Sequence, residues 1–227
     1  MHLFYAPEIS ADSLEYLLTE EESKHCIRVL RMKQGDEITL LNGRGLASCA
    51  VILEDHPKRC KLQITSFIQH ERPKQELHIG LAPTKNMDRI EWFLEKATEI
   101  GLSQLTFLKC EHNERGQMKI DRLEKIAISA MKQSKRFYLP ELVELVPFAD
   151  FVKNHPNGYI GHCYEAQKKP LSELTNRQVF LIGPEGDFSE AEVKLALEQG
   201  YQAVSLSDYR LRTETAALMA VMKLSLI

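Results

Sequence analysis

The alternation of apolar and polar positions changes character near residue 73. Before it, short runs rich in β-branched and apolar residues recur: Glu37-Ile38-Thr39-Leu40-Leu41, Leu46 to Leu53 and Lys61 to Ile68. The first two are joined by Asn42-Gly43-Arg44-Gly45, a strong turn signal between strands. One helix is expected here, over Ser23 to Met32, where Cys26, Ile27, Val29 and Leu30 are apolar. Residues 1–72 therefore read as a small barrel-like β module with one helix. Gln69-His70-Glu71-Arg72-Pro73-Lys74 is polar, contains proline and reads as the linker.

After the linker, strand and helix patterns alternate. Buried-type strands are expected at 78–82, 105–108, 159–163, 179–182 and 203–206. Helices are expected at 87–100, 121–134, from 189 to about Gly200, and at 213–226. In the first of these helices Ile90, Phe93, Leu94, Ala97 and Ile100 fall at helical spacing, and Gly101 follows as a stop. The third opens on Ser189 with Glu192 three residues on, a capping box, and Phe188 is placed to staple to Val193. Such alternation predicts an α/β domain over 73–227 with a mostly parallel sheet.

Composition narrows the field. Of 227 residues, 44% are hydrophobic and 27% charged, which fits a folded globular chain. No apolar run reaches the length of a membrane span, and Met1 to Glu8 does not read as a secretory leader. Five scattered cysteines without a CxxC pair exclude a disulfide framework or cysteine-rich zinc site and fit a reducing cytosol, so a cytoplasmic protein without a metal is expected. The net charge is −3, and residues 1–73 carry 9 basic against 11 acidic side chains. Binding of nucleic acid by bulk charge is disfavoured; binding by a few placed arginines is not.

Three segments stand out chemically. Leu181-Ile182-Gly183-Pro184-Glu185-Gly186-Asp187-Phe188 runs from a buried strand through a glycine-bearing turn into a capped helix. Ligands of parallel sheets sit where strands end, and glycines there let backbone approach a ligand. The plainer reading is a tight βα connection. The segment is neither a dinucleotide fingerprint nor a Walker loop. Ser205-Leu206-Ser207-Asp208-Tyr209-Arg210-Leu211-Arg212-Thr213-Glu214-Thr215-Ala216 brings two arginines and a glutamate to a strand end, or is a solvated loop with helix-capping residues. Gln133-Ser134-Lys135-Arg136 ends a helix, where basic residues also suit the helix dipole.

Taken with Lys85-Asn86-Met87-Asp88-Arg89-Ile90-Glu91 through Gly101, and with His25, Val29-Leu30-Arg31 and Gly35-Asp36-Glu37-Ile38 in the first module, these segments resemble the RsmE-type ribosomal RNA methyltransferases of the SPOUT superfamily. The resemblance covers nearly the whole chain. Two positions depart from the family pattern: Asp187 stands where a second glycine is expected, and Leu206-Ser207 where Leu-Gly is usual.

The resemblance implies a PUA-like β-barrel RNA-binding domain (1–72) and a SPOUT methyltransferase domain (73–227) whose parallel sheet ends in a deep trefoil knot. It implies S-adenosyl-L-methionine as cofactor, methylation of a specific uridine at N3 in small-subunit ribosomal RNA, and a homodimer whose sites are completed by the other subunit. The RNA is expected within an assembled ribosomal subunit; no membrane partner is implied. The apolar last helix, with Ala217, Leu218, Ala220, Val221 and Leu224, suits a subunit interface or a core equally. The cofactor is expected at Leu181, Ile182, Gly183, Pro184, Glu185, Gly186, Leu206, Ser207, Leu211, Thr215 and Ala216. Uridine N3 becomes nucleophilic only when its proton leaves, so an arginine is expected beside the resulting anion, and Arg212 and Arg136 are the candidates. Glu214 either accepts the proton or orients Arg212; its place at a helix N-terminus lowers its basicity and favours the second role. Arg28, Arg31, Lys33 and Arg44 are expected to grip RNA backbone. A SPOUT enzyme with another target, a non-catalytic RNA-binding module and a nucleotide-dependent oxidoreductase are the competing readings; the last lacks its fingerprint.

Overall fold

The computed structural model describes residues 2–113, 116–175 and 179–226. The chain divides into two compact units, one formed by 1–73 with 131–139, the other by 74–130 with 140–227.

The first unit contains β1 (Leu3–Tyr5), β2 (Glu15–Leu17), α1 (Glu20–Lys24), a π-helical turn (His25–Val29), β3 (Glu37–Leu41), β4 (Leu46–Glu54) and β5 (Lys61–Gln69). They form a five-stranded sheet ordered β1-β3-β4-β5-β2, antiparallel except for β1 beside β3. Two register breaks between β4 and β5 bend that pair. The expected barrel thus takes the form of a sheet whose edge strands β1 and β2 do not pair with each other. Phe4, Leu40, Ile52 and Leu62 fill its core. The turn at Asn42–Gly45 forms as expected: the Asn42 side-chain oxygen accepts from the Arg44 and Leu46 amides at 2.8 and 3.0 Å, and Gly43 and Gly45 take positive φ. The helix expected over 23–32 starts earlier, at Glu20 after the Thr19 cap, and loosens into the π turn at His25.

Residues 131–139, which the sequence pattern assigns to the second domain, pack into this first unit. The Phe137 ring stacks on His70 with centroids 3.4 Å apart, the Gly45 amide donates to the Phe137 carbonyl, and the Leu139 amide donates to the Gly43 carbonyl. Met131 joins Leu41 and Ala47 in a small apolar cluster.

The second unit continues with β6 (His78–Leu81), α2 (Met87–Ile100), β7 (Gln104–Lys109), α3 (Ile120–Ser134, whose last turn belongs to the first unit), β8 (Glu141–Pro147), α4 (Phe148–Asn154), β9 (Tyr159–Gly161), β10 (Lys169–Pro170), β11 (Val179–Ile182), α5 (Glu190–Glu198), β12 (Gln202–Ser205) and α6 (Thr213–Leu224). The seven strands run parallel in the order β10-β12-β9-β11-β6-β7-β8. α2 occupies the expected residues, capped by Asn86 and stopped by Gly101 at φ 122°. The capping box of Ser189 and Glu192 closes in both directions at the start of α5, and Phe188 and Val193 share one apolar cluster. That cluster also holds Leu108, Phe148, Phe151 and Leu181, so α4 and α5 cover one face of the sheet. α6 packs on α2, β6 and β11. Ala217, Ala220, Val221 and Leu224 of α6 are fully buried, so its apolar stripe is core. β8 and α4 were not anticipated. Among the described residues no helix is long and apolar enough to cross a membrane.

Candidate active site at the strand ends

Because the strands are parallel, the segments that follow β9, β11 and β12 emerge at one edge of the sheet. They enclose a cavity of about 640 Å³. Its floor is the strand ends Gly161, Ile182, Val204 and Leu206; its rim carries Glu185, Asp187, Tyr209, Arg210 and Arg212, with Lys168 from the segment after β9 and Arg89 from α2. The volume is that of a site for a cofactor-sized molecule.

Each loop is tied to another element. The Thr213 hydroxyl donates to the Gly183 carbonyl at 3.1 Å, pinning the start of α6 to the end of β11. The Lys85 amide donates to Glu185 Oε1 at 3.3 Å, and the Arg210 guanidinium to the Glu185 carbonyl at 3.4 Å. The Tyr209 amide donates to Ser207 Oγ at 3.1 Å. Asp187 closes a turn through its amide to the Pro184 carbonyl at 2.9 Å.

The family's missing second glycine is accounted for at Asp187. Its φ is 64°, a left-handed conformation that glycine adopts freely and that aspartate tolerates better than most residues. The carboxylate compensates: Oδ2 accepts from the Cys163 amide at 2.6 Å and Oδ1 from the Phe188 amide at 2.8 Å. The segments after β9 and β11 are thereby clamped together. Ser207, the other departure, uses its hydroxyl to hold its own loop.

The two loop glycines serve the protein scaffold. A Cβ on Gly183 would lie 3.1 Å from the Phe188 nitrogen, and one on Gly186 3.1 Å from His112 Cβ. Neither Cβ would project into open space: both glycines allow the turn to fold back on Phe188 and His112, and Gly183 also lines the cavity whereas Gly186 does not.

Of the residues expected at the cofactor, Ile182, Gly183, Pro184, Glu185, Leu206, Ser207, Leu211 and Ala216 line the cavity. Leu181 is buried in the sheet core, Gly186 faces His112 and Thr215 is exposed; these three do not line it. Arg212 lines the cavity, is exposed, and has no side-chain partner among the described residues. Glu214 does not orient it. Glu214 is 8% exposed, and its Oε1 lies 3.6 Å from Nε of Arg89. Arg136 belongs to the first unit and is absent from the cavity lining; half-buried, its guanidinium is pulled below the usual arginine range by desolvation. Arg28, Arg31 and Lys33 are exposed on the π turn and the loop after it. Arg44 sits at the other end of β3, roughly 17 Å of strand away, with its guanidinium donating to the Pro7 carbonyl at 2.6 Å. The four do not form one cluster.

Among the cavity residues that the sequence reading did not place at the site, Arg89 and His162 stand out. Arg89 lay in plain view in the first helix motif, but its partner is far along the chain. His162 follows β9, is 8% exposed, and neither ring nitrogen has a partner among the described residues. Burial first, and then nearby Lys168, lower its pKa against the opposing pull of Asp187. Among the described residues no group of His, Cys, Asp and Glu is arranged to hold a metal ion.

Comparison with known proteins agrees with this architecture. Residues 70–225 match the family model of the RNA methyltransferase domain, and residues 18–65 that of the RNA methyltransferase PUA domain. The chain is 29% identical to the ribosomal RNA small subunit methyltransferase E of Aquifex aeolicus, over 97% of each. A probable rRNA-methyltransferase from Porphyromonas gingivalis superposes with a TM-score of 0.89 at 39% identity, covering 97% of this chain and 95% of that one. The ribosomal RNA small subunit methyltransferase E of Neisseria gonorrhoeae, solved bound to S-adenosyl methionine, superposes with a TM-score of 0.86 at 28% identity over 97% and 95%. With the domain model spanning most of the chain, and the cavity lying wholly inside the matched stretch, the chain belongs to the RNA methyltransferase family.

Proposed function

We propose that this chain methylates a uridine of small-subunit ribosomal RNA at N3, using S-adenosyl-L-methionine held in the strand-end cavity. The observation that carries the reading is the cavity itself, enclosed by the segments after β9, β11 and β12 within the RNA methyltransferase domain. Its residues suit that cofactor. Apolar strand ends Ile182, Val204 and Leu206 offer a slot for adenine, Gly161 adds backbone without a side chain, and the buried His162 imidazole, both nitrogens unpartnered among the described residues, stands in the wall. The Neisseria relative is solved with this cofactor.

When bound, the cofactor supplies an electrophilic methyl group on a sulfonium. The chain's residues do the rest by position and charge. N3 of uridine is a poor nucleophile until its proton leaves to water, and the negative charge then spreads over the ring and its carbonyl oxygens. Arg212, exposed on the rim without a side-chain partner among the described residues, is placed to donate to that anion. Glu214 fixes Arg89 through their ion pair, and is a positioning residue in this reading. Arg136 is the second anion-stabilising candidate. The N3 edge is blocked in a paired base, so the target must be unpaired or flipped.

We read residues 1–72 as the RNA-gripping domain, with Arg28, Arg31, Lys33 and Arg44 on the phosphates, and 73–227 as the catalytic one. The chain leaves β12 beside β9 and returns for α6 to pack on β6 and β11 beyond it, with Thr213 bonded under Gly183; this path supports a knotted C-terminus. A homodimer built on the outer side of α2 and α6 is supported by half-exposed Trp92 and Met222. The natural setting is cytoplasmic, with the RNA in an assembled subunit. The test is incubation of small subunits lacking the modification with methyl-labelled cofactor, followed by nucleoside analysis: label in N3-methyluridine is expected, and label in a ribose or a guanine overturns the assignment.

A further inference from the structure

His162 is the one cavity residue that is both buried and lacks any protein hydrogen bond at its polar atoms among the described residues. It follows Gly161 at the end of β9, flanked by the strand ends that form the floor, and it is 8% exposed. A buried imidazole with neither nitrogen hydrogen-bonded is costly to keep, and in a ligand-sized cavity it points to a partner that the bound molecule supplies. Its nearest aromatic neighbour, Tyr164, has its ring tilted at 5.8 Å from centroid to centroid and spends its hydroxyl on the Phe188 carbonyl at 2.7 Å. Asp187, the nearby acid, spends both oxygens on the Cys163 and Phe188 amides.

We propose that His162 is a recognition residue for the adenosine half of the cofactor, hydrogen-bonding its ribose hydroxyls or adenine edge. This rests on the reading that the cavity holds S-adenosylmethionine. The chemistry selects the nucleoside half over the amino-acid tail. Desolvation and Lys168 disfavour the protonated ring, and the neutral ring presents one donor and one acceptor. Hydroxyls and the amino–aza edge of adenine carry both functions, whereas a carboxylate only accepts and an ammonium only donates. The tail is better served on the rim, where Arg89 and Arg210 stand. The apolar floor of Ile182, Val204 and Leu206 beside His162 suits a purine face.

Calorimetric titration separates the alternatives, using S-adenosylhomocysteine and 5′-methylthioadenosine, which lacks the amino-acid tail. His162→Leu, close to histidine in size and without polar atoms, should weaken both ligands by about the same factor, on the order of tenfold. Equal binding to wild type and variant, or weakening confined to S-adenosylhomocysteine, overturns the assignment. A measurement on the unaltered protein keeps the test independent of the variant's folding: methylthioadenosine should shift the His162 ring-nitrogen resonances and fix one tautomer, and unmoved resonances at saturation contradict it. Failure of the wild-type protein to bind either ligand would instead bring down the cofactor reading of the cavity.

Discussion

Nε of Arg89, in the first turn of α2, lies 3.6 Å from Oε1 of Glu214, in the first turn of α6, and the carboxylate is almost wholly buried. Its second oxygen has no partner among the described residues. Removing the arginine therefore strands a buried charge, whereas removing the charge does not. Arg89→Met should destabilise the protein by about 1–3 kcal/mol, at or below the bottom of the range for a broken buried pair because a third of the arginine is exposed. Arg89→Met with Glu214→Gln should recover much of that loss. Urea unfolding of the two singles and the double gives the coupling; strict additivity would mean the pair is not formed.

Asp187 offers a separate test of the loop clamp. Asp187→Ala loses both carboxylate bonds and forces a Cβ-bearing residue without side-chain compensation into φ 64°. Asp187→Gly loses the bonds but removes the strain. The glycine variant should be more stable than the alanine one by about 1 kcal/mol in thermal unfolding, while both bind S-adenosylhomocysteine more weakly than wild type. Equal stability of the two variants would contradict a left-handed residue here.

The buried His78 makes the second unit acid-sensitive. Its Nε2 lies 2.8 Å from the Thr106 hydroxyl, its ring meets Phe151 and His155 edge-on, and burial, then His155, pushes its pKa from 6.5 down to about 4. The folded state holds the neutral ring, so its contribution is complete above pH 6.5 and is lost as pH falls toward about 4. Between about pH 7 and 5 the loss should be about 2 kcal/mol. Urea unfolding at the two pH values, compared with His78→Gln, isolates it: the variant should show a shallower pH dependence, and an unchanged slope would rule His78 out.

The outer surface of α6 distinguishes core from interface. Val221 is fully buried and Met222 is 49% exposed. Val221→Lys should unfold the chain. Met222→Lys should leave the fold intact and, if the dimer uses this face, yield a monomer in light scattering. A Met222→Lys protein that remains fully dimeric would move the interface elsewhere.

Much of the fold was legible because its signals are local. Ile90, Phe93, Leu94 and Ala97 mark α2 by spacing alone, and Ser189 with Glu192 marks the start of α5. β8 was missed because its burial never alternates fully: no residue of Glu141–Pro147 is completely buried. The docking of 131–139 depends on partners at Leu41, Gly43 and His70, which no local pattern reveals. The same limit applies at the site. Arg212 and the glycine turn announce themselves as motifs. The pairing of Glu214 with Arg89, the clamp from Asp187 to Cys163 and the burial of the His162 ring arise from contacts between distant segments.

The most direct test of the account is the fate of labelled methyl groups on small ribosomal subunits under single-turnover conditions, with wild-type protein and with Arg212→Ala at saturating cofactor. The wild type should place the label on uridine N3. The variant should bind S-adenosylhomocysteine normally yet react roughly 10²–10³ more slowly, the loss typical of removing one preorganised donor, with partial recovery as rising pH deprotonates more of the uridine. Label on any other atom, or an Arg212→Ala variant with wild-type rate and weakened cofactor binding, would contradict it.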